Sequence, residues 1–516
     1  MSLVQSVKPP SDSEIAEIGA GPSLVQYFGI EGLYGYRSIS LASPFAATIL
    51  IAKNGSGKST LLGALDAVLK CQFYRLQGLD FKTIRLSLRG LENDLTITRE
   101  DVESLTNLPP DSELLRYARL LEVDVTTIRK FLSEDYPTLK GDYSALTDTK
   151  IFSALLKNSG FNYGEATNIC QKLQSVIYTN NEDLAFNQRE IRLALNDVDV
   201  LYLPTFRRVE LPLQSDQGRA RRAKLRFATS SSLYGADIQF GLGDIHDRLS
   251  ELNQRILADS NIGYRRISAN IINELIDGTF ERDSFEADKL PDRESLELFF
   301  SRLREGGRRI GPYSDVNIPS IEKIYGSDDI GGESRKTLRY FLSKLYDVIN
   351  STKDIELRVE EFIAICNKYL SDDDESADTI DSVQSQKQRR LDGKLLRLNR
   401  RNLKVHAEST ASRRKIPLDS LSSGEKQMVS LFAKLYLYEK EKIVLIDEPE
   451  LSMSLKWQRQ VLADVITAPL CKQVIAITHS PFVFDNPLEP FARAVNLSLD
   501  VDAIEPVEFY DEDNDE

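Results

Sequence analysis

Two motifs at opposite ends of this chain constrain its fold more than anything between them. Residues 52–60 read AKNGSGKST, placed after the apolar stretch ATILI and before the helical run LLGALDAVLK. Far downstream, IVLIDEPE (443–450) reads as an apolar strand that ends in Asp447-Glu448, and VIAITHSP (474–481) as a second that ends in Thr478-His479-Ser480. A strand delivering carboxylates at its C-terminal end suits a metal–phosphate site, but nothing beside it can cradle phosphate. The cradle is the upstream loop. The two ends of the chain must therefore fold into one body.

The upstream loop fits G-x-x-x-x-G-K-[ST] at every fixed position except the first, where Ala52 stands for glycine. The mechanism survives that change. Gly55 and Gly57, lacking Cβ atoms, let backbone N–H groups approach phosphate oxygens at a helix N-terminus. Lys58 supplies charge for the β- and γ-phosphates, and Ser59 a hydroxyl for Mg²⁺. The candidate nucleotide contacts are thus Asn54, Gly55, Ser56, Gly57, Lys58, Ser59 and Thr60, with Ser59 and Asp447 as metal ligands. The nucleotide expected there is ATP.

A third motif, SSGEKQ (422–427), opens a helix shortly before the acidic strand. Ser422, Ser423, Gly424 and Glu425 make its N-terminus a second anion site. One nucleotide cannot need two phosphate cradles, so the second faces another molecule. This predicts a head-to-tail homodimer with two ATP at its interface, where Ser422 of one protomer closes on the γ-phosphate held by Lys58 of the other. Glu448 would polarise the attacking water, and His479 would sense the γ-phosphate.

Composition narrows the remaining classes. No apolar run reaches the roughly 18–20 residues of a membrane span, and the N-terminus has no apolar leader core, so a cytoplasmic protein with no membrane partner is expected. Four scattered cysteines and three histidines leave no metal cluster and little for a histidine-based nuclease. The net charge of −14 argues against wholesale coating of nucleic acid, yet residues 387–415 hold eleven Lys or Arg against two acids. That run is a solvated surface or a nucleic-acid contact. Residues 499–516 carry nine acids and no base, as a solubilising tail would.

In order along the chain, residues 1–22 read as a flexible arm, and 23–105 as strands around the first motif. Residues 106–385 form a mainly helical lobe with a returning strand near 198–204, and no long heptad run suggests a coiled-coil arm. Residues 386–498 hold a β-hairpin (KLLRLN, NLKVH) and the three downstream motifs, and 499–516 the tail. The fold class is α/β: a head of mixed sheet with flanking helices plus an antiparallel β subdomain, interrupted by the helical lobe.

Residues 52–60, 421–427, 443–450 and 478–481 resemble the Walker A, signature, Walker B and switch-histidine motifs of ABC-type P-loop ATPases. The soluble SMC/RecF/OLD branch fits best. IEGLYGYRSISL (30–41) is similar to the opening strand of that branch, which lies near the adenine. LSSGEKQ, EPELS and Trp457-Gln458, with YLPTFRRVE and FIAICNKYL, look like the ATPase subunits of bacterial anti-phage systems, PtuA of Septu and retron-linked cassettes and AriA of PARIS among them. Ser423 replaces the second signature glycine, Ser454 stands where relatives often carry histidine, and Arg207 or Arg208 either takes a nucleotide- or interface-sensing role or pairs with acids on the lobe. The resemblance implies ATP and Mg²⁺ as cofactors and regulated hydrolysis. It also implies a homodimer or higher oligomer, and a separate effector nuclease as partner, since too little chain follows His479 for a nuclease domain. The alternative is a RecF- or SMC-like repair ATPase acting on DNA directly. A transporter subunit would not need the interposed lobe.

Overall fold

The computed structural model describes residues 10–53, 55–105, 108–139, 143–177, 181–204, 242–277, 290–308, 321–326, 332–371, 393–400, 404–451 and 453–499. The expectations for Asn54, Arg207, Arg208 and residues 500–516 lie outside the described residues. The chain divides into two compact units, residues 8–239 with 440–516, and residues 1–7 with 240–439.

The first unit is built on a five-stranded sheet of β3 (Ala47–Ile51), β6 (Asp199–Leu203), β10 (Lys442–Asp447), β11 (Cys471–Thr478) and β12 (Ala492–Ala494), in the order β12-β3-β11-β10-β6. Every pairing is parallel, where a mixed sheet was expected. The sequence accounts for this. KIVLID is buried along its whole length, the near-continuous apolar run of a strand covered on both faces. Ile443, Leu445, Ile475 and Ile477 share a core with Leu61, Leu62, Leu65 and Val68 of the Lys58–Leu69 helix. Strand alternation turns Val444 and Ile446 to the other face.

A second sheet, all antiparallel, contains β1 (Val25–Leu33), β2 (Arg37–Ala42), β4 (Thr83–Leu88), β5 (Leu95–Thr98) and β13 (Asn496–Leu499), in the order β13-β2-β1-β4-β5. Gln473 stitches the two sheets together. Its amide oxygen accepts from the N–H groups of Leu24 (2.9 Å) and Val25 (2.8 Å). Its amide nitrogen donates to Val25 O (2.9 Å) and Ser43 Oγ (2.8 Å). The side chain is fully buried and its polar atoms are satisfied, as burial requires.

The helices between residues 112 and 195 belong to this unit and not with the helices beyond residue 240. Leu114, Ile128, Phe131, Phe152, Leu173 and Ile191 are buried in the same continuous core as β1, β4 and β10. The region read as one lobe over 106–385 is therefore divided, and the expected head segment 386–498 is divided at Glu439. The flexible arm is also corrected in part. Asp12–Gly19 is a helix, closed by a capping box between Ser11 and Glu14.

The second unit contains helices Leu242–Ile276, Arg293–Arg308, Ile321–Gly326, Gly332–Leu370 and Ser423–Tyr436, with a small sheet of β7 (Lys394–Asn399), β8 (Lys404–Ser409) and β9 (Lys415–Ile416). The hairpin read from KLLRLN and NLKVH is present as β7 and β8. RKTLRYFLSKLYDVI and ELRVEEFIAICNKYL lie on one helix, since no glycine or proline interrupts the residues that join them. Its core includes Ile267, Leu296, Phe299, Phe300 and Leu345. Gly263 allows close helix contact, since a Cβ there would meet Val348 at 2.5 Å. Arg302, almost fully buried, pairs through both terminal nitrogens with the Glu356 carboxylate and donates to the carbonyl of Arg400 at 3.0 Å.

Candidate functional site

Parallel pairing brings three chain segments to one edge of the first unit. Thr478 of β11 is paired with Ile51 of β3, and Asp447 of β10 with Ile477 of β11. The loop after Ile51, the acidic pair after Ile446 and the Thr-His-Ser turn thus all leave the C-terminal ends of adjacent strands. That is where open parallel sheets bind their ligands.

The loop has the backbone that phosphate needs. Gly55 (φ 77°) and Gly57 (φ 93°) both occupy the left-handed region, which glycine reaches without penalty. Gly57 caps the Lys58–Leu69 helix and, having no side chain, contributes no side-chain cap of its own. The Ser56 hydroxyl is buried and finds no hydrogen-bond partner among the described residues. Arg37 at the start of β2 supports the loop, donating from Nη1 to Gly55 O at 3.2 Å. Its guanidinium lies 5.0 Å from the ring centre of Tyr34 and 5.5 Å from that of Tyr36, within cation–π range.

The charged groups meet across the loop. Lys58, almost fully buried, places Nζ 2.8 Å from Glu448 Oε1. The Ser59 hydroxyl donates to Oδ2 of Asp447, whose side chain is completely buried. Glu448 holds a left-handed backbone (φ 50°), a strained choice for a non-glycine residue, and its N–H donates to Ile477 O at 2.8 Å. That turn carries the carboxylate away from the strand axis toward Lys58.

His479 stands beside this pair. Its Nδ1 is 3.0 Å from Glu450 Oε1 and 3.7 Å from Glu448 Oε1, and its own N–H donates to Glu450 Oε1 at 3.2 Å. Gln458 secures the far side of the turn, accepting from the Ser480 hydroxyl at 2.9 Å and donating to Met453 O at 3.1 Å. Ser454 caps the Leu455–Ile466 helix through the N–H of Trp457.

Of the residues singled out from sequence, Gly55, Ser56, Gly57, Lys58, Ser59, Thr60, Asp447, Glu448 and His479 are all in this unit. Ser422, Ser423, Gly424 and Glu425 belong to the other unit and form their own arrangement. Ser422 caps the Ser423–Tyr436 helix, with Glu425 N–H donating to its hydroxyl at 3.3 Å. Glu425 Oε2 accepts in return from Ser422 N–H (2.5 Å) and from Lys394 Nζ (2.8 Å). Sequence reasoning missed Arg37, Glu450 and Gln458 as site residues. All three stood inside stretches quoted above (30–41, 443–450 and Trp457-Gln458), but nothing local marked the partners of Arg37, Glu450 or Gln458.

The donor set suits a magnesium–triphosphate. One buried ammonium and a helix N-terminus answer phosphate charge, and one hydroxyl with one carboxylate are hard oxygen ligands. Among the described residues no group of three or more His, Cys, Asp or Glu is arranged as an all-protein metal cage. Mg²⁺ does not require one, because it keeps waters and substrate oxygens in its shell. Bound there, it would neutralise charge on the phosphates, held by Ser59 and Asp447.

No helix among the described residues is long and apolar enough to cross a membrane. No curated protein matches the chain. Residues 268–485 match the family described as "AAA domain, putative AbiEii toxin, Type IV TA system", a stretch that takes in the SSGEKQ, Asp447-Glu448 and His479 motifs and leaves out the glycine loop. The match supports a nucleotide-binding P-loop ATPase, a family that generally uses ATP and Mg²⁺.

Proposed function

We propose that this chain is an ABC-type ATPase that closes head to tail around ATP and serves as sensor and scaffold of an anti-phage defence complex, controlling a separate effector nuclease. The observation that carries the ATPase half is the meeting of Lys58, Ser59, Asp447, Glu448 and His479 at the ends of three adjacent parallel strands. In this reading Lys58 exchanges its carboxylate partner for the β/γ-phosphates. Glu448, released from the ammonium, accepts a hydrogen bond from the attacking water and draws its proton away. His479 meets the γ-phosphate. Ser422 of a second protomer supplies the last contact, so that hydrolysis reports dimer closure.

The defence role rests on the resemblance of the SSGEKQ–EPELS–WQ combination, and on the toxin named in the description of the matched family. Its test is co-purification of the tagged full chain, expressed with its neighbouring genes, with and without ATP. A nuclease recovered in stoichiometric amount supports the proposal. Recovery of this chain alone, binding duplex DNA with an affinity that falls steeply with salt, overturns it in favour of a repair ATPase.

A further inference from the structure

Among the described residues, Glu450 is the one buried carboxylate beside the site that the proposed reaction leaves without a task. It is only 7% exposed, against 48% for the His479 side chain. Burying a carboxylate is costly unless it answers a donor. Here one oxygen, Oε1, faces two nitrogens of the same residue: the His479 N–H at 3.2 Å and the ring Nδ1 at 3.0 Å. The other, Oε2, is buried with no hydrogen-bond partner among the described residues. Glu448 is the more distant neighbour of Nδ1, at 3.7 Å, and its Oε1 already answers Lys58.

We propose that Glu450 is a positioning residue that fixes the ring orientation and tautomer of His479, holding the proton on Nδ1 and turning Nε2 to the nucleotide. The inference rests on the nucleotide-site reading given above. An anionic oxygen 3.0 Å from a ring nitrogen repels a lone pair and attracts an N–H, so Nδ1 carries hydrogen. Nε2 is then the atom left to meet a ligand. Because the same oxygen takes the backbone N–H, the carboxylate fixes where the ring is anchored as well as how it is turned. Gln458 braces both ends, donating to Met453 O on the Glu450 side and accepting from Ser480 beside the histidine. Free imidazole in water has no such acceptor and distributes its proton between the two nitrogens.

Three histidines in the whole chain make the test tractable. Histidine labelled with ¹⁵N gives three imidazole patterns in a long-range nitrogen–proton correlation, and His479→Gln removes the one that matters. The expected wild-type pattern is Nδ1–H. Glu450→Gln, whose amide oxygen still accepts, keeps it and keeps kcat within about threefold. Glu450→Ala loses it and lowers kcat about 10–100-fold at unchanged KM for ATP, as loss of the partner that orients a site histidine does. An Nε2–H pattern in the wild type overturns the proposal with no variant needed, as does a Glu450→Ala protein with unaltered pattern or unaltered kcat. A wild-type protein with the Nδ1–H pattern and no ATP turnover would instead overturn the nucleotide reading alone.

Discussion

Replacing Glu448 by glutamine changes one charge at a known distance, and its consequences for stability and turnover run in opposite directions with nucleotide. Lys58 Nζ and Glu448 Oε1 are 2.8 Å apart, with side chains 7% and 15% exposed. At an effective dielectric of about 20 the gross attraction is about 6 kcal/mol, most of it offset by desolvation of both groups. Glutamine keeps an acceptor for the ammonium, so the loss is the difference between a charged and a neutral hydrogen bond, about 1–2 kcal/mol. Glutamine also keeps the left-handed backbone, so the strain at this residue is unchanged and the charge is isolated. Without nucleotide, Tm of the variant should fall by about 1–3 °C. With ATP, phosphate replaces the carboxylate beside Lys58 and the carboxylate no longer competes, so the rise in Tm on adding ATP should exceed that of the wild type. Turnover should drop about 10²–10⁴-fold, the usual share of a general base, and an ATP-bound dimer should accumulate in size-exclusion chromatography with light scattering. Wild-type turnover in the variant refutes the role given to Glu448, and an unchanged Tm without nucleotide refutes the pairing.

Three further outcomes follow from the same geometry. Lys58→Ala should abolish ATP binding in equilibrium dialysis, and normal affinity would refute the cradle. Ser422→Ala removes the N-cap of the Ser423–Tyr436 helix and should cost about 1 kcal/mol of stability by thermal unfolding; it should spare ATP binding while preventing ATP-dependent dimerisation, and a dimer that still forms would remove Ser422 from the interface. Burial pushes the Cys71 and Cys170 thiols up to about 12 from an ordinary 9.0, so the folded state holds them neutral. Their contribution is complete below pH 9 and is lost as pH rises toward 12, by about 1.4 kcal/mol per thiol per pH unit. Tm measured from pH 8 to pH 11 should therefore fall less steeply in the Cys71→Ala/Cys170→Ala protein, and parallel curves would count against this origin.

The sequence showed the chemistry more clearly than it showed the packing. Lys58, Ser59, Asp447 and Glu448 were readable because phosphate and magnesium require those residue types at the ends of strands, a pattern local to a few positions each. Glu450 was not, because its partner His479 lies on another strand and a glutamate after proline looks like any solvated charge. Gln473 was hidden for the same reason, since its acceptor and donors at Leu24 and Val25 are at the other end of the chain. The helices of 112–195 were legible as helices from their apolar spacing. Periodicity says which face is buried but not against what, so their place in the core of β1, β4 and β10 could not be read. The Asp12–Gly19 helix was carried by a capping box at Ser11 and Glu14 and by only two large apolar side chains, Ile15 and Ile18, too short a pattern to stand out in a polar segment.

The order of strands in the parallel sheet has a consequence for synthesis. Among the described residues β3, finished early, has only β11 and β12 as partners in that sheet, and Ala47 pairs with Val474. At about 5–20 residues per second, the ribosome needs roughly 20–80 s to deliver them. Through that interval an apolar strand and the glycine loop after it have no sheet to join, while the neighbouring pairs β1–β2 and β4–β5 can already form hairpins. Such a nascent chain is a substrate for chaperones, and a truncated message yields a protein with its phosphate loop made but never seated.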